Sequence, residues 1–350
     1  MMRLPKFTSR RPRTIAEAVT ILAGEGPDAM PVAGGTDLYP NMKRRQMTPK
    51  TVVGLMRIPE LSAWRGSPES GLVLGAGLTL TEIETNPVFE AAYPGVAAAV
   101  RTISTPQLRN MGTIGGNLCL DTRCNYYDQN YEWRKAINFC MKKDGTVCWV
   151  APGSPNCLAV NSSDLVPVLC AMDAVVVLES VRGVREVRAE AFYENDGIAY
   201  LRKQPDELIT EVRLPVVNGW RVAYRKLRRR GAFDFPVLGA AVWMKMSGGA
   251  GAGSSAARGG AGDGAAGAAD AVVESSRIFL GAVASSPLRC LEAEAALEGR
   301  PLTDDTIAAA AEAAYIPAKP MDNTDHDRFW RKQMVRVWVK RAIEDVRGGG

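Results

Sequence analysis

The chain has 350 residues, with 43 Lys and Arg, 38 Asp and Glu, 46% hydrophobic residues, seven cysteines and one histidine, His326. That apolar fraction excludes global disorder, and the lack of any run of about 18 apolar residues excludes a membrane-spanning helix. A single imidazole excludes chemistry that needs two, and a net charge of +5 is too small to argue for nucleic acid. The length suggests two or three domains. The opening Met-Met-Arg-Leu-Pro-Lys-Phe has no signal-peptide apolar region, so a cytoplasmic protein is expected.

Along the chain, Thr14 and Glu17 form a capping box that predicts a helix over 14–24. A strand is predicted at 30–33, a helix at 38–46 and a strand at 51–55, together a small α/β unit of residues 1–60. A second unit, 61–217, begins with the strand near Leu72. A capping box at Thr79 and Glu82 opens a helical stretch that continues to Ile103 with a break near Pro94. Residues 109–117 read as a glycine-containing loop, 118–160 as an irregular cysteine-bearing insertion, and 174–178 and 207–214 as strands. In the third unit, 218–350, strands are predicted at 221–227, 237–246 and 276–283, with helices at 303–315 and 326–346. Residues 247–271 are almost wholly Gly, Ala and Ser and read as a flexible hairpin insertion, and the terminal glycines 348–350 are expected to fray. No internal repeat is visible.

Two glycine loops carry the first chemical signal. Ala33-Gly34-Gly35-Thr36-Asp37 follows an apolar strand and precedes a helix, where glycines let backbone N–H groups approach an anion. Gly112-Thr113-Ile114-Gly115-Gly116-Asn117 is a second such loop. Neither has the spacing of a dinucleotide fingerprint or of a Gly-Lys-Ser/Thr phosphate loop. Two such loops in neighbouring α/β units suit the two phosphates of one dinucleotide; each also reads as a plain turn.

The cysteines are the second signal. Five lie between 119 and 157, and in a cytosolic chain such clustering favours metal or redox chemistry over structural disulfides. Cys124, Cys140, Cys148 and Cys157 are separated by 15, 7 and 8 residues. Four thiolates suit zinc or an iron–sulfur cluster. Paired Cys-x-x-Cys knuckles and bacterial ferredoxin spacing are both absent, and a dispersed loop fits a larger cubane; zinc and unligated thiols remain open on spacing alone. Cys119, Cys170 and Cys290 read as packing residues.

Pro31 to Leu38 and Arg109 to Asn117 resemble the two FAD-pyrophosphate motifs of the flavoprotein subunits of the molybdenum hydroxylase (xanthine oxidase) family. The resemblance extends through Ser163-Asp164-Leu165-Val166-Pro167, Pro205 to Ile209 and Tyr224 to Arg229. It implies an α+β chain: two α/β subdomains forming a PCMH-type FAD-binding domain over 1–217, then a C-terminal domain over 218–350 like that of the CO dehydrogenase flavoprotein. It further implies that the amides of Val32, Ala33, Gly34, Gly35, Thr36, Asp37 and Leu38 and of Thr113, Ile114, Gly115, Gly116 and Asn117 hold the FAD phosphates. Ile103, Asp164, Leu208 and Lys226 would line the rest of the site. Taken alone, Asp164 reads as a helix cap, Ile103 and Leu208 as core, and Lys226 as an exposed charge.

Most relatives join the Gly-Gly-Asn loop almost directly to the Ser-Asp element, whereas here 46 residues, Leu118 to Ser163, intervene. This segment resembles the 4-hydroxybenzoyl-CoA reductase branch, whose extra loop carries a 4Fe–4S cluster, and Cys124, Cys140, Cys148 and Cys157 match all four ligand positions. The resemblance implies a flavin and iron–sulfur electron-transfer subunit with no catalytic residue of its own. Reduced ferredoxin would donate to the 4Fe–4S cluster and FAD, and a 2Fe–2S small subunit and a molybdopterin-binding large subunit would complete a heterohexamer of two heterotrimers. The reaction would be dehydroxylation of 4-hydroxybenzoyl-CoA to benzoyl-CoA. No nucleic acid or membrane partner is expected. Lys135, Lys142 and Lys143 suit ferredoxin docking or are simply solvated. Two other readings remain: the FAD subunit of an aldehyde, xanthine or CO dehydrogenase with a zinc-holding or vestigial loop, and a nonenzymatic zinc-stabilised binding protein.

Overall fold

In the computed structural model, which describes residues 3–231, 233–247 and 271–348, the strands assort into three sheets. The first is parallel, with Thr51–Gly54 between Thr8–Arg10 and Ala29–Val32. Helix Ile15–Glu25 covers it, burying Ala18, Val19 and Leu22 against Val53 and Leu55. Thr14 Oγ1 accepts from the Glu17 amide as expected, but the Glu17 carboxylate accepts from the Arg13 amide, so the capping box closes one residue early. Strand Thr8–Arg10 was not expected; all three of its residues are exposed, so it carries no apolar alternation. The helix expected over 38–46 ends at Lys43.

The second sheet is antiparallel, in the order Trp64–Ser67, Gly71–Gly75, Leu208–Leu214, Val175–Ser180, Gly183–Arg188. Thr79 and Glu82 make the full reciprocal box expected of them. Pro94 ends one helical stretch and opens helix Pro94–Thr102, where its missing N–H costs nothing. The predicted 109–117 loop is shorter than expected: helices Pro106–Arg109 and Ile114–Leu118 take its two ends. The cysteine insertion contains one helix, Tyr131–Ala136, and is otherwise irregular.

The third sheet is antiparallel, in the order Leu288–Arg289, Val273–Gly281, Leu238–Met246, Trp220–Leu227. Its side chains alternate between two cores. Val222, Tyr224, Ala241, Trp243 and Phe279 face helices Pro94–Thr102 and Leu165–Ala171 of the second unit. Ala223, Ala240, Val242, Ile278 and Leu280 face helices Leu291–Leu297, Asp304–Tyr315 and Arg328–Gly348. A strand buried on both faces has no polar side, which explains the uninterrupted apolar run Leu238–Met244. The fully buried Arg331 ties the last helix down by donating to the carbonyls of Val237, Met321 and Ala282. The expected insertion over 247–271 lies, except for its two ends, outside the described residues, as do Gly349 and Gly350; Gly348 continues the last helix. Ser247 donates to the Val272 carbonyl, so the flanks of that insertion meet. No helix among the described residues is long and apolar enough to cross a membrane.

Candidate functional site

The two glycine loops meet. A Cβ on Gly34 would stand 1.7 Å from the Met111 carbonyl oxygen, so only glycine lets the loops touch there. Gly35 has φ +72°, a left-handed conformation that glycine adopts without strain, and its Cα lies against the Tyr39 ring. Between and beside the loops opens a cavity of about 520 Å³. Val32 to Leu38 line it, with Ile103, Thr113, Gly116, Asn117 and Asp164.

The loops do different work. The amides of Ala33, Gly34, Gly35, Thr36 and Asp37 donate to no other described residue. Five orphan donors in a row on a cavity wall fit the pyrophosphate of FAD. In the second loop the Ile114 amide donates to Leu78 O at 3.0 Å and Gly115 to Ala76 O at 2.9 Å. Gly116 donates to Thr113 Oγ1 at 3.1 Å and Asn117 to Thr113 O at 2.9 Å. The expected phosphate contacts from the amides of 114–117 are therefore already committed to the protein, because this segment docks on the 76–78 backbone. Ile114 and Gly115 lie behind the cavity wall. The Asn117 side chain does face the cavity, held through Ser163, whose hydroxyl donates to Asn117 Oδ1 at 2.6 Å.

Asp164 reaches the cavity but caps nothing with its side chain. Its carboxylate accepts from Lys226 Nζ at 2.8 Å and Tyr224 OH at 2.7 Å. Burial pushes the Asp164 carboxyl up, and the Lys226 ammonium opposes this. Lys226, 2% exposed, also donates to Thr102 O at 2.9 Å, so it is a buried strut between the two domains and not a solvated charge. Leu208 packs in the first-subdomain core with Leu22 and Leu61 and does not line the cavity. Lys226→Met leaves a buried carboxylate unpaired and is expected to cost about 3–5 kcal/mol of stability, read as a lower urea midpoint. The double change with Asp164→Asn should recover part of that loss.

Sequence reasoning missed Arg123, Tyr200, Leu201, Lys203 and Phe235, all on the cavity wall. Only Arg123 carried a local signal, as the neighbour of Cys124. Its guanidinium pairs with Asp37 and, at 3.3 Å, with Asp128, and lies 4.6 Å from the Phe235 ring centroid.

The insertion folds its cysteines inward. Cys124, Cys140, Cys148 and Cys157 are buried, free of disulfides, and line one small cavity with Tyr127, Lys142 and Trp149. Cys140 sits at a tight reversal in which Asn138, Phe139 and Asp144 have positive φ. A Cβ on Gly145 would lie 2.8 Å from the Cys140 nitrogen, and one on Gly197 2.8 Å from the Cys157 sulfur. Burial pushes the Cys124 thiol up to about 12 and the Cys157 thiol up to about 11. Among the described residues, no three His, Cys, Asp or Glu side chains converge on a position for a single ion. The four cysteines nonetheless line one small void, brought together from separate stretches of the insertion. Cys119 lines the larger cavity, whereas Cys170 and Cys290 are core residues, as expected.

Residues 5–217 match the family described as the FAD binding domain in molybdopterin dehydrogenase, and residues 222–346 match the CO dehydrogenase flavoprotein C-terminal domain. The chain is 30% identical to the carbon monoxide dehydrogenase medium chain of Hydrogenophaga pseudoflava, over 97% of this chain and 96% of that one. It is 25% identical to the glyceraldehyde dehydrogenase medium chain of Sulfolobus acidocaldarius, over 98% and 99%. A solved structure of carbon monoxide dehydrogenase from Hydrogenophaga pseudoflava superimposes with a TM-score of 0.74 at 30% identity, covering 98% of each chain.

Proposed function

The chain belongs to the FAD-binding flavoprotein subunits of the molybdopterin dehydrogenases, the molybdenum hydroxylase family, and from that premise we propose that it relays electrons between an external one-electron carrier and partner subunits through a 4Fe–4S cluster and FAD. Family membership carries the FAD and the oxidoreductase role. The cluster rests on the insertion, and the observation that carries it is the placement of Cys124, Cys140, Cys148 and Cys157 around one cavity. Bound there, a cluster supplies one-electron transfer, and FAD supplies the exchange between one- and two-electron steps.

The protein's own contribution is seating and insulation. Orphan amides of Ala33 to Asp37 would hold the pyrophosphate, with the Asn117 side chain and Asp164 on the same wall. Tyr127, Trp149 and Met141 line the cysteine cavity and limit solvent there. The proposed partners are a 2Fe–2S small subunit and a molybdopterin-binding large subunit, assembled as two heterotrimers, with ferredoxin as donor. The proposed reaction is reductive dehydroxylation of 4-hydroxybenzoyl-CoA on the large subunit, with cytoplasmic location.

A second reading is favoured by the names of the relatives, which are dehydrogenases of carbon monoxide and glyceraldehyde. In it the chain serves a dehydrogenase, FAD is unchanged, and the insertion holds zinc or no metal. One experiment separates them: anaerobic purification of the three-subunit assembly, metal analysis, and assay with reduced ferredoxin and 4-hydroxybenzoyl-CoA. The first reading expects about four irons on this chain beyond those of the partner and formation of benzoyl-CoA. Zinc in place of iron, with oxidation of aldehyde, xanthine or carbon monoxide, establishes the second.

A further inference from the structure

Lys142 was grouped by sequence with Lys135 and Lys143 as a charge open to a docking partner. Its side chain is instead 6% exposed. The ammonium donates to Asp121 Oδ1 at 2.8 Å, Thr122 Oγ1 at 2.6 Å and Gly197 O at 2.6 Å. It also lies 4.8 Å from the Tyr127 ring centroid and 5.6 Å from that of Tyr200. Those two rings belong to different sites: Tyr127 lines the cysteine cavity and Tyr200 lines the flavin cavity. Lys142 itself lines the cysteine cavity, and Asp121 lines neither. Lys142 is therefore the member of the ion pair on the cysteine-cavity wall, and Gly197, whose carbonyl it holds, packs against the Cys157 sulfur. The negative member is held by Tyr127 OH, which donates to Asp121 Oδ2 at 2.9 Å.

We propose that Lys142 is an electrostatic positioning residue, a fixed cation caged between the two cavities that favours the reduced state of the cluster in the insertion. The inference rests on the cluster reading above. Reduction adds one electron and one negative charge to the cluster. A cation fixed on the wall of the cysteine cavity, in a closed, low-dielectric setting, would lower the free energy of that added charge. The electron comes from the external carrier and passes to FAD; no bond forms or breaks at Lys142, and no proton leaves it. Held by three oxygens and two rings, the cation does not need to reorganise when the electron arrives.

The test is a dye-mediated redox titration, followed by electron paramagnetic resonance, of the full chain loaded with FAD and iron. Lys142→Met should make the cluster about tenfold harder to reduce at a fixed poise, a fall of about 59 mV for a one-electron couple. Lys142→Arg should return the midpoint toward wild type. Asp121→Asn removes the opposing charge but keeps the cation, so it should move the midpoint upward. If Lys142→Met fails to retain iron, the Asp121→Asn shift decides the matter alone. Iron-loaded variants with unmoved midpoints overturn the role of Lys142 and leave the cluster standing. Wild-type chain carrying zinc and no iron overturns both.

Discussion

Gly34→Ala is expected to weaken FAD binding by roughly 100-fold, the equivalent of about 3 kcal/mol, the upper end of what overpacking costs. The new Cβ would stand 1.7 Å from the Met111 carbonyl oxygen, and 2.3 Å from its carbon. Both atoms are backbone, so no side-chain rotation relieves the clash. Met111 itself is held, since its amide donates to Leu108 O at 3.1 Å and the next residue, Gly112, accepts from Leu80 at 2.8 Å. The loops must part, and the row of orphan amides from Ala33 to Asp37 shifts relative to Asn117, which lines the same cavity. Gly153→Ala is the control, because its Cβ would meet nothing within 4 Å. Flavin retained per chain after gel filtration, and flavin fluorescence during titration of the apoprotein, measure both. Wild-type affinity in Gly34→Ala would mean that contact between the loops is not what seats the cofactor.

Much of this architecture was legible because it is written locally. The C-terminal strands announce themselves by composition, and Pro94 and the box at Thr79 and Glu82 mark helix starts with residues adjacent in sequence. The glycine loops were visible as motifs, but their division of labour was not. Whether the Ile114 and Gly115 amides are free depends on the backbone of Leu78 and Ala76, more than thirty positions earlier, and no residue within the loop reports that contact. Lys226 is similar. On its own strand it looks like a solvated charge, and only Asp164, 62 residues away, makes it a buried strut. Leu208 shows the opposite failure: its motif placed it near the flavin, while its side chain went to the core under helix Ile15–Glu25. The short strand Thr8–Arg10 is held by pairing with Thr51 to Val53 and by no burial of its own.

The insertion was legible as an anomaly of length and of cysteine count, and its consequence is the second large effect. On the proposed cluster reading, Cys124→Ser and Cys157→Ser are each expected to lower bound iron from about four per chain toward zero while FAD stays at one per chain. The two come from well-separated stretches of the chain, yet both residues line the same void. Losing one ligand leaves one iron of a cubane without its thiolate, exposed to loss or exchange. FAD should survive because its orphan amides lie in 33–37, which draw on no thiol. Arg123, pairing with Asp37 and with Asp128, is one tie between the sites, and the Cys124 side chain takes no part in it. Cys290→Ser is the control for general damage to the fold, since that sulfur sits in the C-terminal core, away from both cavities. Iron and flavin, assayed on the same anaerobic preparation, give the answer as a ratio. Loss of iron and flavin together would mean that the insertion is a structural support for the flavin cavity; retention of iron in both variants would mean that the cluster does not sit among these four thiols.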